Sequence, residues 1–150
     1  MGCDVLVFLD ADGSMAPEEV VRLIVPIAAD DADLVVGARR MRPGVMPVHQ
    51  RLGNRVIAAL LRRRGIAVSE LGPFRAVRTS TWSSLGLGGS RYAWPAEMLS
   101  RAATSGVRIA EVSVGYAPRI AGRSKVGGSW SGTLRATWEI GRVLIAGVER

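Results

Sequence analysis

Apolar positions along this 150-residue chain change period several times, and each change predicts an element. Val5 to Leu9 is an unbroken apolar run, as expected of a strand in a sheet covered on both faces. Beyond it, Ser14 or Ala16 sits where a helix cap belongs, with Pro17 near the first helical position and Glu18-Glu19 in the first turn. That helix is predicted to run to about residue 29. "DLVVGARR" (33–40) reads as a second strand and "MRPGVMP" (41–47) as a loop. In "HQRLGNRVIAALLRR" (49–63), Leu52, Val56, Ala59 and Leu60 recur at helical spacing. "GPFRAVRT" predicts a short strand, and "AWPAEMLSRAATSG" (93–106) a helix closed by Gly106. Residues 107–119 alternate as a strand should, "IAGRSKVGGS" is a Gly-rich basic loop, and 130–148 is a last amphipathic helix. Alternating strands and helices predict one α/β domain spanning 1–150 with a mixed, mostly parallel sheet.

Composition adds bounds to that outline. The hydrophobic fraction of 48% and charged fraction of 22% are ordinary for a globular domain. The apolar tail "TLRATWEIGRVLIAGV" is broken by Arg135, Glu139 and Arg142, so it does not read as a membrane span. Cys3 is the single cysteine, which excludes an internal disulfide and fits a reducing compartment. A cytoplasmic location follows as the expectation, with surface docking at the inner face of the membrane through the basic residues and the last helix. A net charge of +7 directs attention to polyanionic partners. Lys125 is the one lysine among 20 basic residues, the others being arginine. Charge alone suggests nucleic acid, but no interleaved aromatics or groove-reading motif supports it, so no nucleic-acid partner is expected.

The apolar run ends on two carboxylates one residue apart, Asp10 and Asp12, in "FLDADGS". At the end of a strand such a pair can converge on one divalent ion, with phosphate oxygens completing the shell. Asp-Ala-Asp-Gly-Ser is equally good turn chemistry, and the pair alone does not separate the two readings. An EF-hand is excluded, because its sixth and twelfth positions counted from Asp10 hold Met15 and Val21. The stretch also resembles the first motif of haloacid-dehalogenase-like phosphatases. Those enzymes place a second acidic cluster after a lysine, whereas Lys125 is followed only by Glu139 and Glu149.

Four further stretches extend the pattern: "VVGARR", "HQRLGNR", "ELGPFRAVRTSTW" with "YAWPAEM", and "RIAGRSKVGG". In this order after "FLDADGS", the chain resembles the C-terminal part of an inverting family 2 glycosyltransferase of the GT-A fold. The branch it most resembles contains the polyprenyl-phosphate sugar transferases of the dolichyl-phosphate mannose synthase type. The resemblance implies that Asp10 and Asp12 are a DxD motif holding Mg²⁺ or Mn²⁺ against the diphosphate of a nucleotide-sugar donor. Ser14 stands where several relatives carry a metal-assisting glutamine. Arg39 and Arg51 would face phosphates, and Glu70 and Arg75 belong to a segment packed near the sugar. Glu97 matches the acidic residue opening the acceptor-side helix. Arg119, Arg123, Ser124 and Lys125 match the basic loop over donor and lipid phosphates, with Asp12, Glu97, Arg123 and Lys125 in catalytic roles.

Charge developing on a departing nucleoside diphosphate would be stabilised by that metal and those cations. A lipid-phosphate acceptor is already anionic and demands no strong base, whereas a glycan hydroxyl would need one, for which Glu97 is the candidate. The same residues have plainer readings. Arg62 to Arg64 suit a solvated helix face, Glu97 suits an ordinary ion pair, and Trp94 suits core packing. His49 reads as a residue at the helix start. Trp130 and Trp138 read as core or membrane-surface anchors.

The family's domain normally opens with strands that bind the donor base and ribose, and this chain begins at the strand carrying DxD. The expectation is an N-terminally truncated domain with an exposed sheet edge open to self-association. Two functional classes follow: an active transferase, and a catalytically incomplete fragment or subunit completed by a partner chain.

Overall fold

The computed structural model describes residues 3–40, 48–88, 93–117 and 130–146. Their order is β1 (Val5–Phe8), a 3-10 turn (Pro17–Glu19), α1 (Val20–Ala28), β2 (Leu34–Arg40), α2 (Val48–Arg63), β3 (Arg75–Arg78), α3 (Thr79–Ser84), α4 (Trp94–Thr104), β4 (Ile109–Gly115) and α5 (Trp130–Ala146). The strands form one mixed sheet in the order β1-β3-β2-β4. β3 is antiparallel to β1 and to β2, while β2 and β4 are parallel. Three strands thus run one way and β3 opposes them.

Register decides where the strand ends meet. Phe8 and Val36 both pair with Arg75, and Arg40 pairs with Gly115. The carboxyl ends of β1, β2 and β4 therefore share one edge of the sheet with the start of β3.

Period-two alternation divides the core between the two faces. Leu34, Val36 and Val77 join Ile57 and Leu61 of α2, Met98 and Leu99 of α4, and Leu144 of α5. Val35, Ala76 and Val114 point the other way, onto Leu23 and Ile27 of α1 with Phe74. Leu34 and Leu23 are fully buried, and truncating either to alanine costs about 2–5 kcal/mol in cores of this kind.

Two elements depart from their sequence pattern. The apolar run of β1 predicted cover on both faces, yet β1 is an edge strand with Val7 36% and Leu9 38% exposed. An unbroken apolar run reports hydrophobicity, not the number of neighbours, and within the described residues β1 pairs with β3 on one side only. Helix α3, "TSTWSS", carries no helical signal because Ser and Thr favour caps and turns. It forms where Trp82 packs against Phe8, with ring centroids 5.0 Å apart.

Candidate active site

The shared strand edge carries the acidic pair. Asp10 is exposed just beyond β1, and Asp12 is half-buried in the following turn. Oδ1 of Asp12 accepts the Ser14 backbone N–H at 2.9 Å. Gly13 between them has φ 72°, a left-handed conformation that favours glycine. "DADGS" is therefore a side-chain-closed turn, and that bond fixes the direction of the Asp12 carboxylate. The buried Ser14 gives its carbonyl to the Ala117 N–H at 2.9 Å. Glu19 adds a second tie, its Oε2 accepting the Gly115 N–H at 3.1 Å. Sequence placed Glu19 in a helix first turn; its reach to the end of β4 became visible only with the fold.

Arg39, near the end of β2, is held by Glu70. Nε donates to both carboxylate oxygens, at 3.0 and 3.1 Å, and Nη2 donates to Oε2 at 2.8 Å. The Arg39 backbone N–H donates to Oε1 at 2.6 Å. Tyr116 lies beneath the guanidinium, 5.2 Å from it. Burial works against the charge of Arg39. The bonds and charge of Glu70, with smaller contributions from Tyr116 and Asp10, outweigh it and raise the Arg39 pKa above its ordinary value. Arg39 therefore stays cationic, within electrostatic reach of Asp10. Tyr116 was not singled out from sequence, where it read only as one alternating strand residue.

Arg75 lies deeper than its place in the sugar-side segment suggested. It is fully buried, with Nε donating to the Gly72 carbonyl at 3.1 Å and Nη1 to Pro95 at 3.2 Å. Nη2 also donates to Gly72, and the guanidinium stacks on Trp94 at 5.1 Å. Burial pushes its pKa down to about 10. This arginine joins the start of β3 to the start of α4 and makes its contacts inside the protein. Gly72 packs against the Gly37 carbonyl so closely that a Cβ there would collide with it.

Glu97 is also largely enclosed. Its Oε1 accepts the Gly88 N–H at 3.0 Å and Nε of Arg101 at 3.0 Å. The plain ion-pair reading describes these contacts, and they tie α4 to the segment after α3. Trp94 likewise joins an aromatic cluster with Phe8 and Trp82, at 5.2 and 6.4 Å.

Arg51 lies in the first turns of α2, with its side chain outside the described residues, as is that of His49. Arg119, Arg123, Ser124, Lys125 and the 41–47 loop lie outside the described residues altogether. Among the described residues no three His, Cys, Asp or Glu side chains converge. Thus no second acidic cluster of the phosphatase type accompanies Asp10 there. Two carboxylates have the chemistry to hold a hard divalent ion, which would draw its remaining ligands from diphosphate and water oxygens.

No family model matches the sequence. An uncharacterized glycosyltransferase of Mycobacterium tuberculosis is 36% identical over 142 residues, covering 93% of this chain and 65% of the relative. The undecaprenyl-phosphate mannosyltransferase of Micrococcus luteus is 34% identical over 92% of this chain and 63% of its own length. The polyprenol monophosphomannose synthase of Mycolicibacterium smegmatis is 31% identical, over 85% and 51% respectively. This chain thus spans from half to just under two thirds of these relatives. Among solved structures, glucosyl-3-phosphoglycerate synthase from Mycobacterium tuberculosis, in complex with phosphoglyceric acid, superposes with a TM-score of 0.70 at 20% identity. That match covers 97% of this chain and 50% of the synthase chain. The same synthase in complex with Mn²⁺, UDP-glucose and phosphoglyceric acid gives 0.68. The architecture is therefore the GT-A glycosyltransferase fold, carried by a chain whose sequence is similar to bacterial glycosyltransferases over most of its length.

Proposed function

We propose that the protein is a metal-dependent, inverting family 2 glycosyltransferase that takes a sugar from a nucleotide-diphosphate donor. The observation that supports this reading is that Asp10 and the Asp12 turn follow the carboxyl end of β1, on the sheet edge where β2 presents Arg39, held by Glu70 and within electrostatic reach of Asp10. Asp10 and Asp12 would hold Mg²⁺ or Mn²⁺, which when bound supplies positive charge against the leaving diphosphate. Arg39, fixed by Glu70, adds a preorganised cation on the same edge. Arg51, Arg119, Arg123, Ser124 and Lys125 would complete the phosphate-binding surface. Arg75 would act from the core by positioning the β3–α4 junction.

A polyprenyl phosphate is the acceptor this site supports best. Oε1 of Glu97 is already engaged by Gly88 and Arg101, and an acceptor that is already anionic needs no base. Lipid-linked substrates are named for the Micrococcus and Mycolicibacterium relatives. An apolar groove of about 580 Å³ between α2 and α5, lined by Val56, Leu60, Leu134 and Trp138, supports contact with a lipid or the membrane surface. No helix among the described residues is long and apolar enough to cross a membrane. A cytoplasmic, peripheral location remains part of the proposal.

A second reading, an incomplete catalytic unit finished by a partner chain or a second copy, draws on the side of β1 that pairs with no strand among the described residues and on the exposed Val7 and Leu9. Calorimetry with Mn²⁺ and UDP- or GDP-sugars, followed by transfer assays on polyprenyl phosphate, tests both. Micromolar donor binding lost in Asp12→Ala supports the transferase. Donor binding and transfer that appear only with a second chain support the partner-completed reading. Metal-independent binding unaffected by Asp12→Ala defeats both.

A further inference from the structure

Three consecutive residues at the end of β4 each meet a different part of the carboxyl edge. Gly115 donates its N–H to Oε2 of Glu19 at 3.1 Å. Tyr116 lies beneath the Arg39 guanidinium at 5.2 Å, and Ala117 donates its N–H to the Ser14 carbonyl at 2.9 Å. We propose that Tyr116 and Glu19 are positioning residues for the donor diphosphate, Tyr116 acting through Arg39 and Glu19 through the acidic turn. The inference rests on the transferase reading and adds to it what fixes the spacing between the acidic turn and the cation.

Sheet pairing alone does not fix that spacing. In the order β1-β3-β2-β4, strand β3 separates the strand leading to Asp10 and Asp12 from the strand that carries Arg39. The two are joined instead by residues 115–117, which follow β4 on the far side of β2 and bond back to residues 14 and 19. Ser14 receives the Ala117 N–H, and its own N–H is held by Oδ1 of Asp12 at 2.9 Å. Two hydrogen bonds therefore connect the Asp12 carboxylate to the end of β4. A Cβ added at Gly115 would lie 3.1 Å from Oε1 of Glu19 and crowd the carboxylate. Oε2 of Glu19 also lies 3.4 Å from Nε of the exposed Arg22, a surface pair of small weight beside the backbone bond. Tyr116 packs against the buried cluster that contains Met15, Val35 and Phe74, which holds its ring in place. Glu70 engages Nε and Nη2 of Arg39, so a phosphate would meet the fork at Nη1. Tyr116 sets the plane in which that nitrogen is presented, because a guanidinium is attracted to an aromatic face.

Calorimetry of the full chain with Mn²⁺ and UDP, and separately GDP, tests this at a temperature where circular dichroism shows every variant folded. Tyr116→Leu is expected to weaken nucleotide binding about fivefold, and Tyr116→Phe, which keeps the aromatic face, to stay within about twofold of the wild type. On an Arg39→Ala background Tyr116→Leu should cause no further loss, because its effect runs through the guanidinium. Where Arg39→Ala binds too weakly to titrate, the Tyr116→Phe comparison decides. Glu19→Ala should weaken binding by a similar factor, whereas Glu19→Gln keeps an acceptor for the Gly115 N–H and should bind as the wild type does. A merely structural role would lower thermal stability and leave the affinity of the folded protein unchanged. That result, or an equal loss from Tyr116→Leu with and without Arg39, overturns the inference. Absence of binding to the wild-type chain brings down the transferase reading and this inference with it. Wild-type binding with unaffected variants brings down this inference alone.

Discussion

The Arg39 guanidinium and the Glu70 carboxylate form a two-pronged pair, closed by a further bond of 2.6 Å from the Arg39 backbone N–H to the same carboxylate. Their side chains are only 16% and 8% exposed. Glu70→Ala leaves a largely enclosed cation and a buried N–H without their acceptor, a change worth about 3 kcal/mol of stability. Glu70→Gln keeps an acceptor and is expected to cost less than half as much. Urea unfolding of the two variants checks the order. A surface pair of the ordinary kind would show almost no difference.

Arg75 supplies donors to two backbone carbonyls inside the protein. Replacement by methionine preserves volume but strands the carbonyl of Gly72, at about 1–3 kcal/mol for a buried group left unpaired, and removes the second donor to Pro95, whose carbonyl lies in the first turn of α4. The Trp94 ring beneath the guanidinium loses its cation at the same time. Arg75→Met should lower the urea midpoint clearly and shift the tryptophan emission of the folded state. An unchanged emission would show that the β3–α4 junction does not depend on this side chain.

The opposite edge of the sheet has its own charge network. Arg78 and Arg108 both bind Asp30 and Asp33, at 2.6 to 3.2 Å. Hydrogen bonds from Arg108, acting against desolvation and aided by Arg78, hold the Asp33 carboxyl at about 2 instead of 3.8. Asp30 is lowered by the same arginine. A depressed acid stabilises the fold above its unfolded value and loses that contribution as pH falls through the folded one. Stability should therefore decline between pH 3.8 and about 2, and Asp33→Asn should flatten that decline. Thermal unfolding across this window measures it.

Asp10 and Asp12 separate by role in stability. Asp10 is exposed, so Asp10→Asn should change stability by less than about 0.5 kcal/mol. Asp12 closes the turn onto Ser14, so Asp12→Ala should cost about 1 kcal/mol. Both variants should weaken Mn²⁺ association in the presence of UDP, read by the paramagnetic effect on water relaxation. A variant that loses stability but retains metal affinity would reduce Asp12 to a turn residue.

Much of the architecture was legible in the chain because alternation and helical spacing are local. β2, α2, α4, β4 and α5 lie where their apolar periods placed them. The acidic pair was legible as residues at the end of the first strand, but locally it read as a turn or a metal site alike, and Asp12 does close a turn onto Ser14. Helix α3 was hidden, since Ser and Thr carry no helical signal and Trp82 is fixed by the distant Phe8. The pairing of Arg39 with Glu70 was hidden too, because 31 residues separate them.

What the sequence by itself determined is the inventory: an α/β chain, basic and arginine-rich, with two carboxylates at the end of its first strand. Periodicity and residue chemistry are properties of neighbours along the chain, so they survive without a fold. Only the tertiary structure decided which charges meet. Antiparallel β3 brings Arg75 into the core and sets Glu70 beside Arg39, and the end of β4 brings Tyr116 beneath the same guanidinium. Those outcomes depend on strand register and helix rotation, where a shift of one residue reverses which side chains are buried.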